Sequence, residues 1–144
     1  QENGYSNVIN YTKDDFAKEV MKITNNEGVP VVFDGVGKET FLGSLACLKI
    51  RGMMVSFGNA SGPLDPVNVP KDIQPKGLYF TRPSIGQYFT NRKELQTGAD
   101  QIFEKVKYGK IKIKIFRKYR LADAKQAHAD LESRQLNGPV ILIP

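Results

Sequence analysis

The stretch from Val29 to Asn59 constrains the fold of this 144-residue chain more than any other. An apolar run, Val31-Val32-Phe33, stops in Asp34-Gly35-Val36-Gly37. Phe41, Leu42, Leu45, Ala46 and Leu48 then fall at helical spacing. Arg51-Gly52 turns the chain into a second apolar run, Met53 to Phe57, which ends in Gly58-Asn59. A strand, a helix and a strand within about 30 residues have the size of a parallel crossover. Open parallel sheets take their ligands just beyond the carboxyl ends of the strands. The two glycine-bearing ends, 34–37 and 57–59, are therefore expected side by side on a binding edge.

The flanks extend this pattern. Asn7 to Tyr11 reads as a short extended segment. Thr12 is placed to cap a following helix whose buried face is Phe16, Val20 and Ile23, and Asn25-Asn26-Glu27-Gly28 ends it. Residues 60–77 hold four prolines and two glycines and read as a long connection with one helical turn near 71–74. Leu78-Tyr79-Phe80 is another short strand, and residues 82–89 are irregular. Thr90 or Asn91 caps a long helix striped by Leu95, Ala99, Ile102, Phe103 and Val106 and stopped by Gly109. Lys110 to Phe116 alternates lysine and isoleucine with the period of a half-buried strand. A helix with Ala124, Ala127 and Leu131 on one face follows, then a strand from Val140 to Ile143. The alternation of strands and helices argues an α/β fold.

Composition narrows the function classes. Apolar content of 40% and charged content of 25% describe a globular chain. No apolar run approaches the roughly 18 residues of a membrane span, and the first residues carry no secretory signal. The lone Cys47 cannot form an internal disulfide, which fits a reducing compartment. The net charge of +6 is concentrated: from Glu104 to Arg120 there are eight basic residues and one acid. Such a local stripe is a weaker argument for a nucleic-acid partner than a basic domain would be. Lysines on the 110–116 strand also discourage edge-to-edge pairing.

Gly35-Val36-Gly37-Lys38 is not a phosphate-binding P-loop, because Val32 and Glu39 stand where that motif needs Gly and Ser/Thr. Nor is it the dinucleotide fingerprint, whose third glycine position holds Thr40. A tight strand-to-helix turn explains the glycines as well as a ligand does. His128 has no second histidine, so no metal ligand set is assigned, and no catalytic residue is assigned.

The motifs in order carry a resemblance. Val-Ile-Asn-Tyr at 8–11, Val-Val-Phe-Asp-Gly-Val-Gly at 31–37, Ser-Leu-Ala-Cys-Leu at 44–48 and Arg-Gly-Met-Met-Val-Ser-Phe-Gly-Asn at 51–59 come first. Thr-Arg-Pro-Ser at 81–84, Leu-Glu-Ser-Arg at 131–134 and Leu-Ile-Pro at 142–144 follow. Together they resemble the C-terminal part of the zinc-independent quinone oxidoreductases, zeta-crystallin-like members of the medium-chain dehydrogenase/reductase superfamily. The resemblance implies a partial Rossmann fold, a doubly wound parallel sheet lacking its first strands, over residues 1–109. Residues 110–144 would be a tail whose strands belong to a GroES-like catalytic domain. It implies NADPH as cofactor, hydride transfer to a quinone, a cytoplasmic location and a homodimer through the edge strand Leu78-Tyr79-Phe80.

By the same resemblance Tyr11 lies near the adenosine ribose and its 2′-phosphate. Gly35, Val36 and Gly37 line the middle of the cofactor. Phe57, Gly58 and Asn59 contact its nicotinamide half, Phe57 through backbone groups. Arg82, Pro83 and Ser84 sit near the nicotinamide, and Arg134 approaches from the tail, where Pro139 after Gly138 removes a backbone donor. Residues 8–11 would be Rossmann strand 3, about 14 Å from strand 4 across two absent strands. The expectation is that residues 7–11 leave that position or that another chain fills the gap, and that the tail strands pair with each other or with a neighbour. The piece alone is expected to be inactive. Two alternatives stand beside this reading: an RNA-binding module using the basic stripe, and an enoyl reductase of the same superfamily.

Overall fold

The computed structural model describes every residue except 1–3, 134, 135 and 137. Two compact units divide the chain, Gln1–Tyr88 and Phe89–Pro144.

In the first unit, helix α1 (Phe16–Ile23) precedes strand β1 (Val29–Asp34), helix α2 (Phe41–Cys47) and strand β2 (Leu48–Ser56). Strand β3 (Tyr79–Thr81) and the single-turn helix α3 (Ile85–Tyr88) follow. The three strands form one parallel sheet in the order β1-β2-β3. That is three consecutive strands of a doubly wound sheet, as the sequence pattern implies. Within β2, Arg51 adopts a left-handed φ of 59° and the register jumps, so the paired run is Met53 to Ser56. The turn expected at Arg51-Gly52 is this kink.

The strand register sorts the sheet into two faces. Val32, Met54 and Phe80 are cross-strand partners on one face. There Met54 packs with Phe41, Leu45 and Leu48 of the crossover and with Leu78. The Phe41 and Phe80 rings meet edge to face at 5.9 Å. Val31, Met53 and Tyr79 partner one another on the opposite face, beside Phe33, and all four are exposed. Parallel sheets are normally covered on both faces, and α2 covers one. Leu42 and Ala46, placed on the helix stripe by spacing alone, are exposed, while Ser44 and Cys47 are buried. A seven-residue helix held at both ends turns a narrow arc inward.

Lys76 holds the far end of that helix. Its ammonium donates to the carbonyls of Leu45 at 3.3 Å and Ala46 at 2.8 Å, and to that of Leu48. A cation on the last carbonyls satisfies acceptors the helix cannot. Short helical turns at Val69–Ile73 and Gln74–Lys76 bring Lys76 there from the proline-rich connection.

The second unit contains α4 (Arg92–Lys107), β4 (Arg117–Arg120), α5 (Ala124–Glu132) and β5 (Val140–Ile143). Strands β4 and β5 pair in parallel, so the two tail strands do pair with each other. Asn91 caps α4 by accepting from the Glu94 amide at 3.0 Å. The apolar stripe of α4 is not buried: Leu95, Ile102 and Phe103 are exposed.

Three local expectations need correction. Helix α1 is capped by Asp15, which accepts from the Lys18 amide, not by Thr12. Thr12 instead donates its amide and hydroxyl to the Asn10 side chain, at 3.1 and 2.7 Å. Residues 7–11 form no strand. The Asn10 carbonyl takes the amides of Lys13 and Asp14 and makes a turn, and β1 is an edge of its sheet. The tail strand is Arg117–Arg120, not the expected Lys110 to Phe116. The amides of Lys110 and Ile111 return to the Lys105 carbonyl, and Phe116 donates to the Pro139 carbonyl. The Lys/Ile alternation between them has no edge to pair with in the described sheets.

Candidate functional site

Strand β1 delivers Asp34 to the start of the crossover, and its carboxylate organises the turn. One oxygen accepts from the amides of Val36 at 2.8 Å and Gly37 at 3.0 Å. The Thr40 hydroxyl donates to both oxygens, at 3.0 and 2.8 Å, and the Ser44 hydroxyl donates to the second at 2.7 Å. The residue is 4% exposed. Burial pushes its pKa up, and the bonds from Gly37, Ser44, Thr40 and Val36 more than reverse that, so the carboxyl titrates below its ordinary range. Asp34 is thus a buried anion that accepts from two amides and two hydroxyls.

The second loop lies against the first. The amides of Phe57 and Gly58 donate to the Asp34 carbonyl at 2.9 and 3.3 Å. Ala60 donates to the Gly35 carbonyl, and Ser61 donates to the Val36 carbonyl at 2.7 Å. The Ser61 hydroxyl adds a bond to the Val36 carbonyl and accepts from the Glu39 amide. The expected side-by-side placement of 34–37 and 57–59 is therefore the geometry of the unit.

That closeness explains two glycines without a ligand. A Cβ on Gly58 would strike the Gly35 backbone. Gly37 has φ 94°, and a Cβ there would meet the Gly62 carbonyl oxygen at 2.8 Å. The ring of Phe57 lies over Gly35.

Beside β1 an open cleft of about 280 Å³ is lined by Ile9, Tyr11, Phe33, Gly35 and Val36, among others. Asp34, Thr40 and Ser44 are its polar lining residues. The volume is at the low end for small-molecule sites, room for part of a dinucleotide.

Among the residues singled out by sequence, the unit brings Gly35, Val36 and Gly37 against Phe57, Gly58 and Asn59, with Tyr11 on the adjoining cleft. Arg82 reaches the same edge, where its guanidinium donates to the Ser56 carbonyl at 2.8 Å. Ser84 makes a local bond to Gln87 and is exposed. Arg134 lies outside the described residues. Sequence reasoning passed over Asp34, Thr40 and Ser44. The available signal was an aspartate opening a Gly-x-Gly turn, a residue type that bonds backbone amides two or three positions on.

A parallel sheet whose strand-end loops meet over its carboxyl edge defines an α/β domain of the dinucleotide-binding type. A family profile described as zinc-binding dehydrogenase matches residues 3–142, and the chain belongs to that family. It is 40% identical to a quinone oxidoreductase of Pseudomonas aeruginosa over 144 residues, 100% of this chain and 44% of that one. It is 45% identical to a quinone oxidoreductase of Salmonella typhimurium over 139 residues, 95% of this chain and 42% of that protein. A 2-haloacrylate reductase from a Burkholderia species is 39% identical over 142 residues, 98% of this chain and 43% of its own length. The crystal structure of an Escherichia coli quinone oxidoreductase complexed with NADPH superposes with a TM-score of 0.93 at 43% identity, covering 99% of this chain and 44% of that one. The chain spans less than half the length of these relatives. Despite the family description, no group of three or more His, Cys, Asp or Glu among the described residues is arranged to hold a metal.

Proposed function

We propose that the chain is the C-terminal part of an oxidoreductase that passes hydride from NADPH to a quinone. The observation that carries this is the meeting of loops 34–37 and 57–59 on the carboxyl edge of a parallel sheet. Relatives bearing quinone oxidoreductase names, one of them crystallised with NADPH, support it.

NADPH, when bound, supplies the hydride. The protein's part is to hold the nicotinamide face-on to the acceptor, so that transfer is effectively unimolecular. In this reading Phe57, Gly58 and Asn59 flank the nicotinamide half. The Phe57 amide is already committed to Asp34, which leaves its carbonyl for the carboxamide. Gly35, Val36 and Gly37 line the middle, and Tyr11 borders the adenosine end. Arg82, Ser84 and Arg134 approach the edge from the later chain. Proton delivery to the quinone comes from solvent and needs no acid–base pair. Residues 1–109 are the Rossmann portion and 110–144 the tail that returns to a GroES-like catalytic domain. The parent is cytoplasmic and dimerises through the strand around Leu78-Tyr79-Phe80. No helix among the described residues is long and apolar enough to cross a membrane.

The test compares the 144-residue chain with the full-length product of the same gene in quinone-dependent NADPH oxidation. Turnover is expected from the longer protein alone. Turnover by the chain overturns the inactivity, and absence of NADPH oxidation in both overturns the assignment. The resemblance to a 2-haloacrylate reductase favours a second reading, in which the acceptor is an activated alkene. Replacing the quinone by 2-chloroacrylate in the same assay decides between them.

A further inference from the structure

The turn 35–37 invites comparison with loops that cradle phosphate through consecutive amides. Its hydrogen bonds point elsewhere. The amides of Val36 and Gly37 donate to the Asp34 carboxylate. The Lys38 amide donates to the Gly62 carbonyl at 3.4 Å, and that of Glu39 donates to the Ser61 hydroxyl at 3.0 Å. The amides of Thr40 and Phe41 donate to the Gly37 carbonyl at 3.0 and 2.9 Å. Every amide from 36 to 41 has an acceptor inside the unit. The one anion within reach of the first two is Asp34 itself, 4% exposed and further held by the Thr40 and Ser44 hydroxyls.

We infer that Asp34 is a built-in anion: its carboxylate occupies the amide cradle that a phosphate would otherwise take, and so makes this turn a phosphate-excluding wall of the strand-end edge. A second anion beside it would meet like charge in a poorly solvated place and find no free donor among the amides of residues 36–41. Applied to a dinucleotide, and resting there on the proposed function, the turn lines the middle of the cofactor without donating its Val36 and Gly37 amides to the pyrophosphate.

The experiment uses the 144-residue chain and inorganic phosphate, followed by the Val36 and Gly37 amide resonances. Wild type shows no phosphate-specific shift relative to chloride at equal ionic strength. Asp34→Ala empties the cradle and gains phosphate binding about tenfold or more tighter than wild type, with both amides moving. Asp34→Asn keeps an acceptor on the two amides and stays unresponsive, which a merely structural role for the charge does not require. If Asp34→Ala is unfolded in chloride, phosphate restores its folded spectrum. A wild type that binds phosphate at these amides overturns the inference. So does an alanine variant that responds to phosphate no more than wild type, folded or not. Neither result touches NADPH oxidation by the longer protein, so this inference and the proposed function fail separately.

Discussion

Asp34 concentrates more interactions than any neighbour at the site, and its charge state is a stability variable. Its folded pKa is depressed, so its contribution is fully present above the unfolded value of about 3.9 and is lost as pH falls through the lower folded value. Urea midpoints measured from pH 7 to pH 2 should therefore drop below about pH 4. Asp34→Asn should lose about 1–3 kcal/mol at pH 7, with a flatter acid limb. Ser56 is the converse case. Its hydroxyl is buried without a partner among the described residues, so Ser56→Ala should be neutral or stabilising in the same assay. The Cys47 thiol is 3% exposed, and burial raises its pKa against the opposing pull of Lys76. A disulfide reagent such as Ellman's should modify it slowly in the native chain and rapidly in urea.

At the scale of elements, the crossover is a short helix clamped at both ends, by Asp34 below and Lys76 above. Lys76→Met removes the donor from carbonyls at the helix end and should cost about 1–3 kcal/mol by urea denaturation. Gly58→Ala drives a methyl into the Gly35 backbone. It should separate the two loops and cost about 1–3 kcal/mol or more, with loss of the ring contact between Phe57 and Gly35 read by NMR. The glycines expected to admit a cofactor are thus required first by loop-on-loop packing. Helix α4 makes the contrasting point. Its length and its stop at Gly109 were readable and its cap was narrowed to Thr90 or Asn91, of which Asn91 serves, yet its apolar stripe stays exposed. Periodicity states which face of a helix seeks cover, and the covering surface belongs to other residues.

Over the whole molecule, one bare sheet face, an exposed helix stripe and the exposed isoleucines of the Lys/Ile segment leave much apolar surface open. Val31, Phe33, Met53 and Tyr79 on the sheet are joined in this by Ile102 and Phe103 on α4. Within each unit, exposed apolar residues grouped on one face mark a surface that seeks cover. A hydrophobic dye such as ANS should bind the 144-residue chain with bright emission, and bind the full-length protein weakly. Equal dye binding by both would show that the further residues of the proposed longer protein do not cover these faces. The share of the relatives that this chain spans, 42–44%, accords with that exposure.

Local chemistry set the order of the crossover and the adjacency of its loops, through apolar runs of strand length, helical spacing between them and glycines at both strand ends, but not the inward face of α2 or the start of β2 at Leu48. It likewise set the caps and stops of α4, where a side chain bonds an amide three residues on. Two segments with strand-like patterns, 7–11 and 110–116, were decided by the tertiary structure, because a strand exists only where another strand offers its hydrogen bonds. The enclosure of Asp34 was likewise invisible in the sequence. It requires Thr40 and Ser44 to be wound back over the end of β1, and only the folded crossover brings those hydroxyls to one carboxylate.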